Sequence, residues 1–285
     1  MEKQIGKFTL YEKQPNDIKF GSLYTGVFNF KNHYFPIRTV RVYLPECYVP
    51  NHKYPYIVMY DGQNIVDKYT TAYGSWDLDE RINELTQVGY EPVIIIGIDS
   101  AFEPMRSFDA SFNSAVIDPM YSNYLNKPVG YNLLKPDLFD LYSGFKKNVM
   151  PEIKKCFSLT DDVNKIGVGG SSMGGAFAIS AMAYFPEDFG FCLAFSPAYN
   201  IYLEPFRTKF LDDHPVPNNK KIYLYSGKGD DFERMFVEPC LFLHNYLKNK
   251  GFDDEHVTVS LDENGIHHET AWTKEFPKAI KFWNK

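Results

Sequence analysis

The sequence predicts an α/β fold with a mostly parallel central sheet flanked by helices, preceded by a region of antiparallel strands. Short continuous apolar runs such as 93–98 recur along the chain, as in strands that are buried on both faces of a sheet. Helical patterns lie between these runs, which is the order of βαβ units. Residues 38–44 instead alternate polar and apolar side chains, as a half-exposed strand does. The composition shows no break, so we expect one domain over residues 1–285.

The predicted elements follow one another in a regular order. The N-terminal region has β-prone segments at 8–11, 23–28 and 38–44. The later apolar runs lie at 56–60, 93–98, 166–168, 191–195, 222–225 and 257–261. Helical patterns lie at 78–85, 138–156, 175–184, 236–250 and 275–283. Two segments, 100–136 and 201–219, interrupt this order, and we expect them to be ordered surface loops or lids over a binding site.

Charge and cysteine usage narrow the classes of function. The net charge is −6, which disfavours a broad nucleic-acid-binding surface, and no apolar run is long enough to span a membrane. The four cysteines are far apart and form no CxxC pair for a metal or a redox centre. They fit free thiols, and no N-terminal leader is visible, so we expect a cytoplasmic protein. Composition does not predict an oligomeric state.

A short glycine-rich motif supplies the candidate nucleophile. Gly170-Ser171-Ser172-Met173-Gly174 has the form G-x-S-x-G. In α/β-hydrolases this motif places the serine on a sharp turn between a strand and a helix. A predicted strand precedes the motif here and a predicted helix follows it. Ser172 is therefore the candidate nucleophile, and the alternative is a glycine-rich turn with an ordinary serine.

A serine nucleophile needs a histidine base and an acid that orients the base. In this fold the histidine follows the last strand, where His267 and His268 stand after 257–261; His267 is preferred and His268 is the substitute. The acid is expected after the preceding strand, where Asp230 is preferred over Asp231. The alternative for the two aspartates is that they cap the helix that follows.

The oxyanion formed during acyl transfer needs two backbone N–H donors. One is expected from the residue after the nucleophile, Met173. The other is expected from the loop after the third strand, Asp61-Gly62-Gln63-Asn64, where we assign it to Gln63. This route requires no metal and no organic cofactor.

Together these residues resemble the putative-esterase family of α/β-hydrolases, which includes feruloyl esterases, esterase D and enterochelin-type esterases. The resemblance covers residues 36–285. It rests on four stretches, which are 40–45, the DGQN sequence at 61–64, the GSSMGG sequence at 170–175 and 265–272. In the family the catalytic histidine stands five residues before a tryptophan, which selects His267 through Trp272. The loop after residue 225 departs from the glutamate-bearing form of the carbohydrate-ester members.

The resemblance implies a serine carboxylesterase that acts on a small ester such as an acylated sugar or an aromatic acyl ester. It also implies two substrate-binding residues, Arg106 and Trp272. Arg106 matches an arginine that in the family often follows the strand corresponding to 93–98. Alternatives with the same triad are a thioesterase or acyltransferase similar to S-formylglutathione hydrolase, and a siderophore esterase. A non-catalytic binding protein on the same scaffold is a further alternative. The expected partner is a small-molecule ester, with neither nucleic acid nor membrane.

Overall fold

The computed structural model describes residues 3–11, 18–31, 36–66, 71, 74–101, 106, 109–112, 138–202 and 204–285. Ten strands of this part form a single mixed sheet in the order β1-β2-β3-β4-β6-β5-β7-β8-β9-β10. Their bounds are β1 Gln4–Ile5, β2 Phe8–Leu10, β3 Ser22–Asn29, β4 Ile37–Leu44, β5 Tyr56–Tyr60, β6 Ile94–Ile98, β7 Ile166–Ser171, β8 Phe191–Phe195, β9 Lys221–Gly227 and β10 Val257–Asp262.

The sheet changes from antiparallel to parallel at β6. Strands β1 to β4 pair antiparallel in sequence order, and β4 pairs antiparallel with β6. From β6 onward the pairs are parallel, with Val58 of β5 opposite Ile96 on one side and Val168 on the other. The expected α/β-hydrolase fold, with its antiparallel N-terminal region, is confirmed.

Helices cover both faces of the sheet. Their bounds are α1 Leu78–Gln87, α2 Leu138–Asn148, α3 Met150–Cys156, α4 Met173–Tyr184, α5 Glu204–Asp213, α6 Asp231–Arg234, α7 Val237–Asn249 and α8 Glu269–Trp283. Alternate residues of each central strand enter opposite cores: Val58 lies in the core that contains residues of α2 to α5 and α7, whereas Ile57 lies in the core that contains residues of α1 and α8. Burial of both strand faces explains why the central strands are apolar throughout.

Three helix predictions differ from the structure. The predicted helix at 138–156 is two helices, because the chain breaks at Val149 and Pro151 lies at the start of α3. Helix α8 begins six residues earlier than predicted, where His268 caps it. The 201–219 segment, expected as loop or lid, contains α5. Most of the other expected lid, 100–136, lies outside the described residues.

The parallel arrangement fixes where a site can form. Strands β5 to β10 all run in the same direction, so their carboxyl ends meet at one edge of the sheet, where ligands bind in open α/β sheets. The four cysteines are free thiols; Cys192 and Cys240 are buried, whereas Cys47 is exposed. Among the helices described, none has the length and apolarity that a bilayer crossing requires.

Candidate active site

Ser172 occupies the sharp turn between β7 and α4. Its φ of 55° and ψ of −119° lie outside the regions that residues other than glycine favour, and such a conformation costs about 1–3 kcal/mol. The turn brings strand and helix so close that a Cβ on Gly170 would lie 2.7 Å from backbone atoms of Gly174. Only glycine at position 170 allows this approach, which exposes the Ser172 side chain above the sheet edge.

Backbone hydrogen bonds hold the Ser172 turn against the end of β8. The Ser172 N–H donates to the carbonyl of Phe195 at 2.9 Å, and the Ala198 N–H donates to the carbonyl of Ser172 at 3.0 Å. Met173 is the first residue of α4, so its N–H has no partner one turn earlier in the helix. The Met173 amide is therefore free to bind an oxyanion at the positive end of the helix dipole.

His267 lies on the loop after β10 and is paired with a glutamate. Its Nδ1 is 2.6 Å from Oε2 of Glu233, and the Glu233 side chain is fully buried. Because the carboxylate is an acceptor, Nδ1 carries the proton and donates it, which leaves Nε2 as the free base. The imidazole is 13% exposed, so one part of it faces the open site.

The second oxygen of Glu233 is saturated with donors. Its Oε1 accepts hydrogen bonds from the Gly227 N–H at 2.6 Å, the Ser196 hydroxyl at 2.5 Å and the Ser226 hydroxyl at 3.4 Å. Ser196 in turn accepts from the Trp272 Nε1–H at 3.0 Å. These donors hold the carboxylate in one orientation, as the acid of a triad must be held.

The prediction that Asp230 or Asp231 orients the imidazole is wrong, because the carboxylate that binds the imidazole Nδ1 is that of Glu233. Asp230 caps α6 instead: its Oδ1 accepts from the Glu233 N–H at 2.8 Å, and its Oδ2 accepts from the backbone N–H of His267 at 3.3 Å. The backbone donor at Glu233 lowers the pKa of Asp230. The Asp231 side chain is 99% exposed and pairs with Arg234. The helix-capping alternative is thus correct for Asp230.

Glu233 was missed because it lies in α6, beyond the loop that follows β9. The two aspartates are the first acids after the strand, whereas the longer glutamate side chain reaches back from α6 to the sheet edge. The spacing Asp-x-x-Glu at 230–233 was the available signal, because an N-cap followed three residues later by Glu defines a first helical turn. The carboxylate that binds the imidazole is therefore a glutamate, although the sequence predicts that this loop departs from the glutamate-bearing form.

His268, the substitute base, is occupied by a structural role. It is the N-cap of α8, and its Nδ1 accepts from the backbone N–H of Thr270 at 3.1 Å. The other side of the ring lies near Gly74, where a Cβ would be 3.3 Å from His268 Cε1, and Glu233 binds the preceding histidine. Of the two candidates, His267 is the one that the fold pairs with a carboxylate.

Aromatic side chains enclose the imidazole. Phe236 stacks on His267 with ring centroids 4.3 Å apart, and Phe232 and Trp272 contact it edge-on at 4.8 and 5.0 Å. Trp272 is 3% exposed and donates to Ser196, and its expected role in substrate binding stays a prediction. In the structure this buried indole supports the imidazole directly and Glu233 through Ser196.

The turn proposed for the second oxyanion donor lies at the end of β5. Residues Gly62–Asn64 form a 3-10 helix that packs directly on the end of β6, since a Cβ on Gly62 would lie 2.5 Å from the Gly97 carbonyl carbon. The Gln63 side chain exchanges two hydrogen bonds with Ser100, at 2.9 and 3.1 Å. These contacts fix the backbone of Gln63 at the same sheet edge as Ser172.

Arg106 is fixed by the aspartate of the DGQN sequence. Its Nε and one terminal nitrogen each bind an oxygen of Asp61 at 2.7 Å, in a bidentate pair. Asp61 is buried, while the guanidinium remains 24% exposed at the site. A Cβ on Gly174 would lie 3.3 Å from Asp61, so the pair lies beside the nucleophile turn. This position is compatible with the expected role of Arg106 in substrate binding.

Ser172, Glu233 and His267 thus follow three parallel strands, β7, β9 and β10, and β8 lies between β7 and β9. Ser196, which donates to Glu233, lies between Phe195 at the end of β8 and Ala198 beyond it, whose backbones hydrogen-bond to Ser172. Among the described residues no hydrogen bond joins the Ser172 hydroxyl to the imidazole. Such bonds often tighten only when substrate binds. The described residues hold no cluster of His, Cys, Asp and Glu side chains that could bind a metal ion.

Comparison with known proteins identifies relatives of this chain. A family model described as Putative esterase matches residues 37–283. The chain is 20% identical over 251 residues to the Bacillus subtilis (strain 168) protein named Uncharacterized protein YbbA, covering 86% of this chain and 92% of that protein.

Solved structures with the same fold include several esterases. The BES protein from Bacillus cereus is 17% identical, with a TM-score of 0.67 over 96% of this chain and 99% of that one. The enterobactin esterase FES from Shigella flexneri, in the presence of enterobactin, is 18% identical with a TM-score of 0.68, covering 91% of this chain and 58% of that one. A ferulic acid esterase is 14% identical with a TM-score of 0.64, covering 93% and 98%. The family match spans nearly the whole chain, and the chain belongs to the Putative esterase family.

Proposed function

We propose that this chain is a serine carboxylesterase that forms an acyl-enzyme on Ser172. The observation that carries the proposal is the buried His267–Glu233 pair at the sheet edge where Ser172 occupies its strained turn. An imidazole oriented by a carboxylate, at the sheet edge that also carries a serine in a strained turn, is the arrangement that can activate a hydroxyl as a nucleophile.

The acylation step uses each of these groups in turn. The His267 Nε2 accepts the proton of the Ser172 hydroxyl as its oxygen attacks the ester carbonyl. The developing oxyanion binds the backbone N–H groups of Met173 and Gln63, and each such donor is worth about 3–4 kcal/mol in the transition state. Glu233 stabilises the imidazolium that forms. The imidazolium then protonates the departing alcohol, and the acyl group remains on Ser172.

Deacylation repeats the same chemistry with water. His267 removes a proton from the water as it attacks the acyl-enzyme, and returns that proton to the Ser172 oxygen as the acid product leaves. No metal or organic cofactor is needed in either step.

The surroundings of His267 support a substrate with an apolar or aromatic part. Phe232, Met235 and Ile266 are 40%, 38% and 41% exposed, and Phe232 contacts the imidazole. Exposed apolar side chains next to reacting groups form the apolar part of a binding site. We propose an ester with an aromatic or other apolar acyl part, in line with the ferulic acid and enterobactin esterases among the structural neighbours. Arg106 would bind a polar group of the same substrate.

Hydrolysis of p-nitrophenyl acetate and p-nitrophenyl cinnamate tests the proposal. Ser172→Ala should lower kcat by about 10⁴-fold or more, because no other group can form the acyl-enzyme. The neighbouring Ser171→Ala, which changes a strand residue of the same type, serves as the matched control and should keep most of the activity. Retained hydrolysis in Ser172→Ala would refute the assignment.

A panel of esters with varied acyl and alcohol parts defines the substrate. The cinnamate ester should have a higher kcat/KM than the acetate if the apolar side chains near His267 bind the acyl part. Transfer of the acyl group to an added alcohol or sugar, rather than to water, would instead identify an acyltransferase.

A further inference from the structure

A hydrogen bond links the candidate oxyanion turn to the helix that follows the catalytic histidine. The Asn64 side-chain amide donates to Oε1 of Glu269 at 3.1 Å, across 205 positions of sequence. Asn64 ends the Gly62–Asn64 turn that carries Gln63, and Glu269 is the first residue of α8, two residues after His267. The bond therefore spans the two loops whose relative position sets the reaction geometry.

Glu269 is in an unfavourable environment for a carboxyl group. Its side chain is 3% exposed, and its Oε2 is buried without a hydrogen-bond partner among the described residues. Burial raises the pKa of Glu269 to about 7, and the nearby negative charge of Asp61 adds to this. An unsatisfied buried polar atom is destabilising, so stability alone does not account for a carboxyl at this position.

Two other sets of hydrogen bonds hold the Gly62–Asn64 turn, and they connect it to other parts of the chain. The Gln63 side chain is held by Ser100 beyond β6, and the carbonyl of Asn64 accepts from the Trp76 N–H at 2.8 Å. Neither contact involves the histidine loop. Within the described residues, the side-chain bond from Asn64 to Glu269 is the direct link between the turn and the start of α8.

We propose that Glu269 is a positioning residue for ester hydrolysis: by holding Asn64, it fixes the Gln63 amide relative to His267. This inference rests on the proposed function. Glu269 does not touch the reacting atoms. It acts through geometry, because a displacement of about 1 Å in such a constellation can lower the rate of the chemical step about 100-fold.

A set of variants separates positioning from a general structural role. Glu269→Ala and Asn64→Ala should each lower kcat at least 10-fold while KM changes less than about 2-fold, because the oxyanion forms only in the transition state. Glu269→Gln keeps an oxygen that accepts from Asn64 and should recover kcat to within about 3-fold. The double variant Asn64→Ala/Glu269→Ala should be no slower than the slower single variant, since both remove one bond.

A matched control addresses the effect of a charge at a helix N-terminus. Glu204 is also the first residue of a helix, and among the described residues its side chain accepts a hydrogen bond from Thr208 of the same helix at 2.8 Å. Glu204→Gln should leave kcat and KM unchanged. All rates are measured well below the melting temperature of each variant, and Asn64→Ala carries the test if Glu269→Ala does not fold.

The outcomes distinguish this inference from the proposed function. Labelling of Ser172 by a fluorophosphonate is measured first, in the unaltered protein. If the unaltered protein is labelled, two results overturn the positioning role alone. In one, the Asn64→Ala and Glu269→Ala variants hydrolyse ester with the unaltered kcat. In the other, the losses in kcat of the two single variants multiply in the double variant. If the unaltered protein neither labels nor hydrolyses any ester, the proposed function is overturned and this inference with it.

Discussion

Glu233 determines which nitrogen of the His267 imidazole carries the proton. Its carboxylate is fully buried and accepts hydrogen bonds from His267, Ser196 and the Gly227 N–H. A neutral amide in its place can present a donor where the carboxylate had an acceptor. The imidazole would then carry its proton on Nε2, the atom that must act as the base.

We predict that Glu233→Gln lowers kcat by about 10³-fold or more, because the histidine adopts the wrong tautomer. Asp231→Asn should be close to the unaltered enzyme, since the Asp231 side chain is almost wholly in solvent. Asp230→Asn should lose less than about 10-fold, because an amide oxygen can still cap α6. The measurement is steady-state hydrolysis of one p-nitrophenyl ester by all three variants. An Asp230→Asn variant as slow as Glu233→Gln would contradict the assignment of the acid.

The buried carboxyl of Glu269 predicts a pH dependence of stability. Its pKa is raised from 4.5 to about 7, chiefly by burial. Below pH 4.5 both the native and the unfolded chain hold the proton. Between pH 4.5 and 7 the unfolded chain releases it and the native chain keeps it, so native stability falls as the pH rises. Above pH 7 both states are ionised and this contribution is constant.

We therefore expect Glu269→Gln, which does not titrate, to gain stability relative to the unaltered protein by about 3 kcal/mol between pH 4 and pH 8. Urea unfolding of both proteins at a series of pH values measures this difference. Comparing the two proteins cancels the titration of other groups. A difference that stays constant with pH would show that Glu269 titrates normally in the native state.

At the level of elements, the sequence predicts the strands best because both faces of the central strands are buried. The runs that become β5, β6 and β8 match their predicted bounds within one residue. Helix α5 was missed because few of its residues enter the core: of Glu204–Asp213, only Arg207, Phe210 and Leu211 are buried. A short helix with a narrow apolar face carries little periodic signal.

The same reasoning explains which parts of the site could be predicted. Ser172 could be predicted from sequence because it directly follows β7 in a G-x-S-x-G motif, and His267 because it lies on the loop after the last strand. Glu233 and the Asn64–Glu269 bond depend on side chains that meet across distant elements, at 2.6 and 3.1 Å. Contacts of this kind are set by how α6 and α8 pack on the sheet, which no local pattern encodes.

At the level of the whole molecule, the antiparallel and parallel regions share one sheet and one core. Strand β4 pairs with both β3 and β6, so the ladder continues through the change of direction. Phe8 of β2 is fully buried and packs on Phe28 and on Phe157, which follows α3, with ring centroids 5.1 and 5.3 Å apart. The N-terminal strands therefore bury the same apolar surface as the helices behind the parallel strands.

This continuity predicts that the chain unfolds as one cooperative unit. Phe8→Ala removes a ring at the far edge from the active site and should cost about 3–5 kcal/mol. If the sheet is one unit, that loss lowers a single melting temperature, and tryptophan fluorescence and far-ultraviolet circular dichroism shift together. Trp76 and Trp272 report on the opposite core, on the other face of the sheet from Phe8. A circular-dichroism transition that moves to lower temperature while tryptophan fluorescence stays in place would mean that the N-terminal strands melt separately from the hydrolase core.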